Sequence, residues 1–183
     1  IVIIYILIIY LIVKNQEVKK FIHKDSRGGL KKLYDIPESF KIRQIIISET
    51  KKAWTVRGLH YSPEPNIESK IITCIQGSVI WVALERIEDG IFKLFSKKLE
   101  ANTNDFIIIP RGRIHGCIMC EDDTLIQIVS DNDHDGNKSI HYEWGPVLDE
   151  ICKNYNLQRK DLWESEKDVG YKRYNLGVKQ IIK

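Results

Sequence analysis

Ser69-Lys70-Ile71-Ile72-Thr73-Cys74-Ile75-Gln76-Gly77-Ser78-Val79-Ile80-Trp81-Val82-Ala83-Leu84-Glu85-Arg86 holds two apolar runs broken by Gln76-Gly77. β-Branched residues dominate both runs, and glycine tolerates turn geometry, so the stretch predicts a hairpin of strands Ser69–Ile75 and Ser78–Arg86. The same pattern extends outward, predicting strands Ile42–Ser48, Ala53–Leu59, Ile91–Leu99, Asp105–Ile109, Ile114–Met119 and Thr124–Ser130. Asp89-Gly90 and Asn102 to Asn104 supply further turns. Strands recurring at intervals of about 8–12 residues predict an all-β sandwich or barrel and exclude alternating βαβ units. After Asp131 the chain turns polar, and Val147 to Tyr155 has apolar residues at helical spacing, which predicts short C-terminal helices.

The 183 residues fit one domain, and 43% hydrophobic with 29% charged residues is a globular mixture. A net charge of +3 from 28 basic and 25 acidic residues lacks the basic stripe of a nucleic-acid-binding protein. Cys74, Cys117, Cys120 and Cys152 read as reduced thiols of a cytoplasmic protein. Ile1 to Val13 is almost wholly apolar, yet it is shorter than the roughly 20 residues of a membrane span and lacks the flanks of a signal peptide. An edge strand, or an upstream translated stretch outside the native sequence, is preferred to a membrane anchor. Residues 1–20 are therefore an apolar segment of open status, and 21–183 form one domain.

Two motifs carry the chemistry. The first is Arg57-Gly58-Leu59-His60-Tyr61, followed by Lys70 at the start of the next strand. Strict alternation would turn Arg57 and His60 to opposite faces, unless a bulge at Gly58 brings both side chains inward. The second is Pro110-Arg111-Gly112-Arg113-Ile114-His115-Gly116, where a turn delivers an imidazole to the start of a new strand. A metal site needs three or four nitrogen or oxygen ligands. Ser62 stands where a second histidine would follow His60, and His23, His134 and His141 lie outside the expected strands, so no metal is expected. Cys117 and Cys120 would point to opposite faces of a strand and are expected to pack as ordinary thiols.

These motifs, with Asp25-Ser26-Arg27-Gly28, Gly77 and Ser165-Glu166-Lys167-Asp168, resemble the dTDP-4-dehydrorhamnose 3,5-epimerases over most of the chain after residue 20. The resemblance implies a cupin-type jelly-roll β-barrel, a homodimer sharing N-terminal strands, no cofactor and no metal. It further implies an isomerase acting on a dTDP-linked 4-keto-6-deoxy sugar in rhamnose and polysaccharide biosynthesis. Hydrogens beside a carbonyl are acidic enough for an imidazole to remove them if the enolate is stabilised. His60 would be that base, Asp168 would fix its tautomer, and Lys70 would stabilise the enolate. Arg27 and Arg57 would hold the diphosphate or the sugar, and His115 would complete the wall near the carbonyl.

The sequence departs from the family in three places. Gln127 or a neighbour stands where the strand after the HG motif carries the family's acid tyrosine, and a glutamine does not donate a proton as a phenol does. Lys32 replaces a glutamate, and Ile45 to Ser48 lacks the family's Gln-x-Asn. Three readings stay open: a 3,5-epimerase whose acid is Tyr142, Tyr61 or water, a single-centre isomerase on a related sugar nucleotide, and a non-catalytic sugar-nucleotide-binding homologue.

Overall fold

The computed structural model describes residues 22–26, 28–31, 36, 38–103, 105–164 and 166–183. Ile1 to Val13, Arg27 and Lys32 lie outside the described residues.

The eight expected strands form within two residues of their expected ends: β3 (Gln44–Thr50), β4 (Thr55–Tyr61), β5 (Lys70–Gln76), β6 (Ser78–Glu88), β7 (Ile91–Glu100), β8 (Phe106–Ile109), β9 (Ile114–Met119) and β10 (Thr124–Ser130). A hairpin of β1 (Ile22–Asp25) and β2 (Gly28–Lys31) precedes them. Short strands β11 (Ile140–Tyr142), β12 (Trp163–Glu164), β13 (Arg173–Tyr174) and β14 (Gln180–Ile182) follow. The expected helix is α1 (Gly145–Tyr155), and α2 (Glu166–Val169) is a single turn.

Two sheets face each other. One is four-stranded in the order β3-β10-β5-β8. The other runs β13-β11-β4-β9-β6-β7-β14, with β12 added alongside β4. Their inward side chains, Ile72, Cys74, Val79, Trp81, Cys117, Met119 and Ile126, make an apolar interior. The strand spacing predicts a sandwich or barrel, and this is the cupin-type barrel that the family resemblance implies.

The second sheet also has an apolar outer face. Val56, Leu59, Ile80, Val82, Leu84 and Ile118 are buried there beneath α1, which contributes Val147, Leu148, Ile151 and Cys152. These four lie on one stripe of the helix, as i, i+4 spacing requires. Pro146 sits in the first turn, where its missing N–H costs no hydrogen bond. Asn156, in the left-handed region at φ 53°, ends the helix and donates its N–H to the Cys152 carbonyl.

Alternation on β9 separates the two environments: His115 and Cys117 point into the barrel, while Ile118 joins the outer core. Cys120 packs against the outer core and Cys117 within the interior, so the two thiols occupy opposite faces as expected, and all four cysteines are unpaired with one another. None of the described helices is long and apolar enough to cross a membrane.

Candidate active site

The bulge expected at Gly58 is present. Arg57 pairs with Cys117 and His60 with His115, so Gly58 and Leu59 together stand opposite Gly116 alone. Gly58 has a φ of 92°, and a Cβ there would lie 2.8 Å from the His115 carbonyl oxygen and 2.9 Å from the Gly116 Cα. Gly116 is equally closed, because its Cβ would lie 2.6 Å from the Arg57 carbonyl oxygen and from the Trp144 ring. Glycine is thus required on both sides of the bulge. The extra residue resets the alternation: Leu59 turns outward to the helix-covered core, while Arg57 and His60 both face the interior.

Two layers of side chains follow from the register. His141, His60, His115 and Ala83 occupy consecutive strands at the mouth, and Arg57, Cys117 and Trp81 form the layer beneath. The His60 ring lies 4.7 Å from that of His115, 5.6 Å from His141 and 6.3 Å from His134. His141, expected outside the strands, lies on β11 directly opposite His60. His134, also set aside from the strands, reaches the cluster from the loop after β10.

Lys70 approaches from the opposing sheet. Its Nζ is 3.0 Å from His115 Nε2 and 3.0 Å from Glu68 Oε1, and the residue is only 4% exposed. His115 Nδ1 lies 2.8 Å from the Arg113 carbonyl oxygen, an acceptor only, so Nδ1 carries the proton and Nε2 accepts from the ammonium. Glu68 is the hub of the cluster. Ser130 Oγ donates to its Oε2 at 2.5 Å, while Ser62 Oγ at 3.3 Å and His134 Nδ1 at 3.0 Å donate to its Oε1.

Electrostatics follow from this packing. Burial would raise the Glu68 carboxyl, but the His134, Lys70 and Ser130 contacts outweigh it and hold its pKa at about 2. Burial lowers the Lys70 ammonium from its ordinary value, against the opposing pull of Glu68. Burial also holds His60 well below its ordinary value, helped by His115, Lys70, His141 and His134. His115 is lowered in the same way, by burial and then by Lys70. The outcome at neutral pH is a neutral His60 imidazole beside a lysine cation whose counter-ion is already in place. Such an arrangement can take a proton from carbon and stabilise the oxyanion that results.

Arg57 is anchored by its Nη1 to Ser48 Oγ at 3.3 Å and its Nη2 to the Glu49 carbonyl oxygen at 3.1 Å. Burial pushes the Cys117 thiol up to about 12, with Arg57 lowering it and Asp168 raising it. Asp168 lies on α2, and its backbone carbonyl accepts hydrogen bonds from Arg173. Of the residues expected at the site, the structure brings His60, Lys70 and His115 to one barrel mouth, with Arg57 in the layer beneath them. Arg27 lies outside the described residues.

The tyrosines fall otherwise than expected. Tyr61 follows His60 on the strand and so faces outward, stacked on Tyr142 at 6.3 Å. Tyr142 packs against the helix-covered core. Neither reaches the His60 face. On β10 the inward positions are Ile126 and Ile128, because they pair with Ile72, Cys74 and Ser48 of the interior, and Gln127 pairs with the exposed Ile47 on the outer face. The tyrosine that does meet the histidines is Tyr171, whose ring lies flat on His141 at 3.8 Å and 9°. Glu68, His134, His141 and Tyr171 were missed in the sequence. The one available signal was Glu68, a carboxylate two residues before Lys70, close enough in sequence to pair with its ammonium.

Among the described residues, no group of three His, Cys, Asp or Glu side chains is arranged to hold a metal ion. Both ring nitrogens of His115 are already engaged.

Fold and site together define a cupin-type β-barrel protein with a His, Lys and Glu site at the barrel mouth. The sequence model of the dTDP-4-dehydrorhamnose 3,5-epimerases matches residues 12–173, and the chain belongs to that family. It is 30% identical over 113 residues to the dTDP-4-dehydrorhamnose 3,5-epimerase of Shigella flexneri, a match covering 56% of this chain and 62% of that protein. The chain thus spans less than two thirds of that curated relative. Its fold is shared with the crystal structure of the Bacillus anthracis dTDP-4-dehydrorhamnose 3,5-epimerase with TDP and PPi bound, at a TM-score of 0.70 and 17% identity, covering 89% of this chain and 98% of the other. A 3'-monoepimerase from Streptomyces bikiniensis in complex with dTDP-quinovose shares it too, at a TM-score of 0.65 and 17% identity, covering 84% and 80%.

Proposed function

We propose that this chain is an isomerase that epimerises a dTDP-linked 4-keto-6-deoxy sugar at C3 and C5, by proton abstraction next to the keto group. The observation that carries the reading is a neutral His60 beside the buried Lys70–Glu68 pair. A protein that only bound its ligand would gain nothing from placing a base and an oxyanion-stabilising cation together. His60 is the base, and Lys70, with His115, meets the oxygen that becomes negative. Arg57 and Arg27 hold the diphosphate or the sugar, and Asp168 fixes the tautomer of His60 and stabilises its imidazolium.

Inversion needs a proton delivered to the face opposite the base. With Ile126 and Ile128 inward on β10, the phenol that meets the histidine cluster among the described residues is Tyr171, so Tyr171 or a solvent proton takes that part. The chemistry uses no cofactor and no metal, and 21–183 acts as one domain in the cytoplasm. A homodimer is supported by the outer face of β3, where Ile45 and Ile47 are exposed two residues apart.

The test is deuterium incorporation followed by NMR when the protein is mixed with dTDP-4-keto-6-deoxyglucose in heavy water. Exchange at C3 and C5 with a changed product configuration supports the reading. Exchange at one carbon narrows it to a single-centre isomerase, and saturable binding without exchange overturns it in favour of a binding homologue.

A further inference from the structure

The layer beneath His60 and His115 contains two hydrogen-bond donors with no acceptor among the described residues. Trp81 is 4% exposed and its Nε1 has no partner among the described residues, and the same holds for Arg57 Nε, two strands away across Cys117. A buried N–H left unmade carries its full desolvation cost, so such a donor bordering a binding site can be satisfied by an acceptor on the ligand. Both groups are donors, so the missing partner must present lone pairs. The Trp81 ring lies 6.2 Å from that of His115 and is inclined to it by 21°, so the indole belongs to the apolar interior and also borders the histidine layer of the site. Its other neighbours in the interior include Ala83, Cys117 and Met119, none of which offers a strong acceptor. A neutral N–H on a flat apolar ring suits a sugar, whose C–H face packs on the ring while an oxygen takes the proton.

We propose that Trp81 is a specificity-determining residue of this site, its indole N–H donating to a hydroxyl or keto oxygen of the bound sugar. The inference rests on the sugar-nucleotide reading above and adds a residue to it. Trp144 provides the internal comparison. Its Nε1 also has no partner among the described residues, but it lies in the helix-covered core against Gly116, on the far side of the sheet from the site.

The experiment is calorimetric titration of the wild type and of Trp81→Phe with dTDP-4-keto-6-deoxyglucose and with dTDP alone. Trp81→Phe removes the donor and keeps the ring. It is expected to weaken sugar-nucleotide binding by roughly 3- to 10-fold, the share of one hydrogen bond, and to leave dTDP binding within about twofold. Its melting temperature without ligand should equal or exceed that of the wild type, since an unpaired N–H has been removed. Indole ¹⁵N–¹H spectra of the unmutated chain give an independent reading: the Trp81 resonance should shift with the sugar nucleotide and stay put with dTDP, while that of Trp144 stays put with both. Unchanged sugar-nucleotide affinity in Trp81→Phe, or an unmoved Trp81 resonance in a protein that binds the ligand, overturns the inference and leaves the functional reading intact. If the wild type binds neither ligand, the functional reading falls first and the inference with it.

Discussion

Strands β4, β6 and β9 serve two regions that could hardly differ more. Outward they present Val56, Leu59, Ile80, Val82, Leu84 and Ile118 to α1, a core held by apolar burial alone. Inward, at the mouth, they present His60 and His115 to Lys70 and Glu68, a cluster of buried polar groups held by hydrogen bonds and charge. The first region is non-directional and tolerates changes of shape at moderate cost. The second depends on each partner, because a buried charge without its counter-ion costs more than the pair contributes. The stable face of the sheet therefore carries the demanding one, and the bulge at Gly58 is where the chain passes between them.

Substitutions on either side of that bulge give the sharpest test of the division. His60→Asn should lower isotope exchange by about 10²–10⁴-fold if the imidazole is the base, with nucleotide binding and melting temperature little changed. Loss of binding instead would make His60 part of the scaffold.

Glu68→Gln leaves the Lys70 ammonium buried without a counter-ion and should destabilise the fold by about 3–5 kcal/mol in urea titration. Leu59→Ala, one residue from His60 but on the apolar side, should cost about 2–5 kcal/mol while leaving the activity per folded molecule near that of the wild type. If Leu59→Ala instead abolished exchange at full folding, the two regions would not be separable.

The pH dependence should separate them further. The folded-state pKa of Glu68, about 2, is below its unfolded value, so its contribution to stability is present above about pH 4.5 and lost as the pH falls toward 2. His60 and His115 are also depressed in the fold, so their contribution is full above an ordinary histidine pKa of about 6.5 and lost as the pH falls below it. Urea titrations across this range should show stability falling in both windows, with the lower one absent in Glu68→Gln. The acid limb of the rate profile should lie below pH 6.5, since the folded His60 stays neutral there. The smallest effect is expected farthest from the site: Ile47→Lys on the exposed outer face of β3 should shift light-scattering mass toward the monomer with little change in melting temperature.

Turn residues and β-branched runs let the strands from Ile42 to Ser130 be read from the sequence alone, because strand pattern and turn chemistry are local properties. Local motifs likewise pointed to Arg57, His60, Lys70 and His115. The later short strands gave no such signal, being two or three residues long and ordered only by the strands beside them. What needed tertiary structure was everything set by register and burial. The bulge turned Arg57 and His60 to one face, where alternation alone had left them apart. Pairing of β11 with β4 brought His141 to His60, and the loop after β10 brought His134 to Glu68. The outward turn of Tyr61, Tyr142 and Gln127, and the placement of Tyr171 on His141, followed from the same register. A side chain's type is written in the sequence, but its proton affinity and its partners depend on which distant strands enclose it, and a single extra residue in one strand is enough to change them.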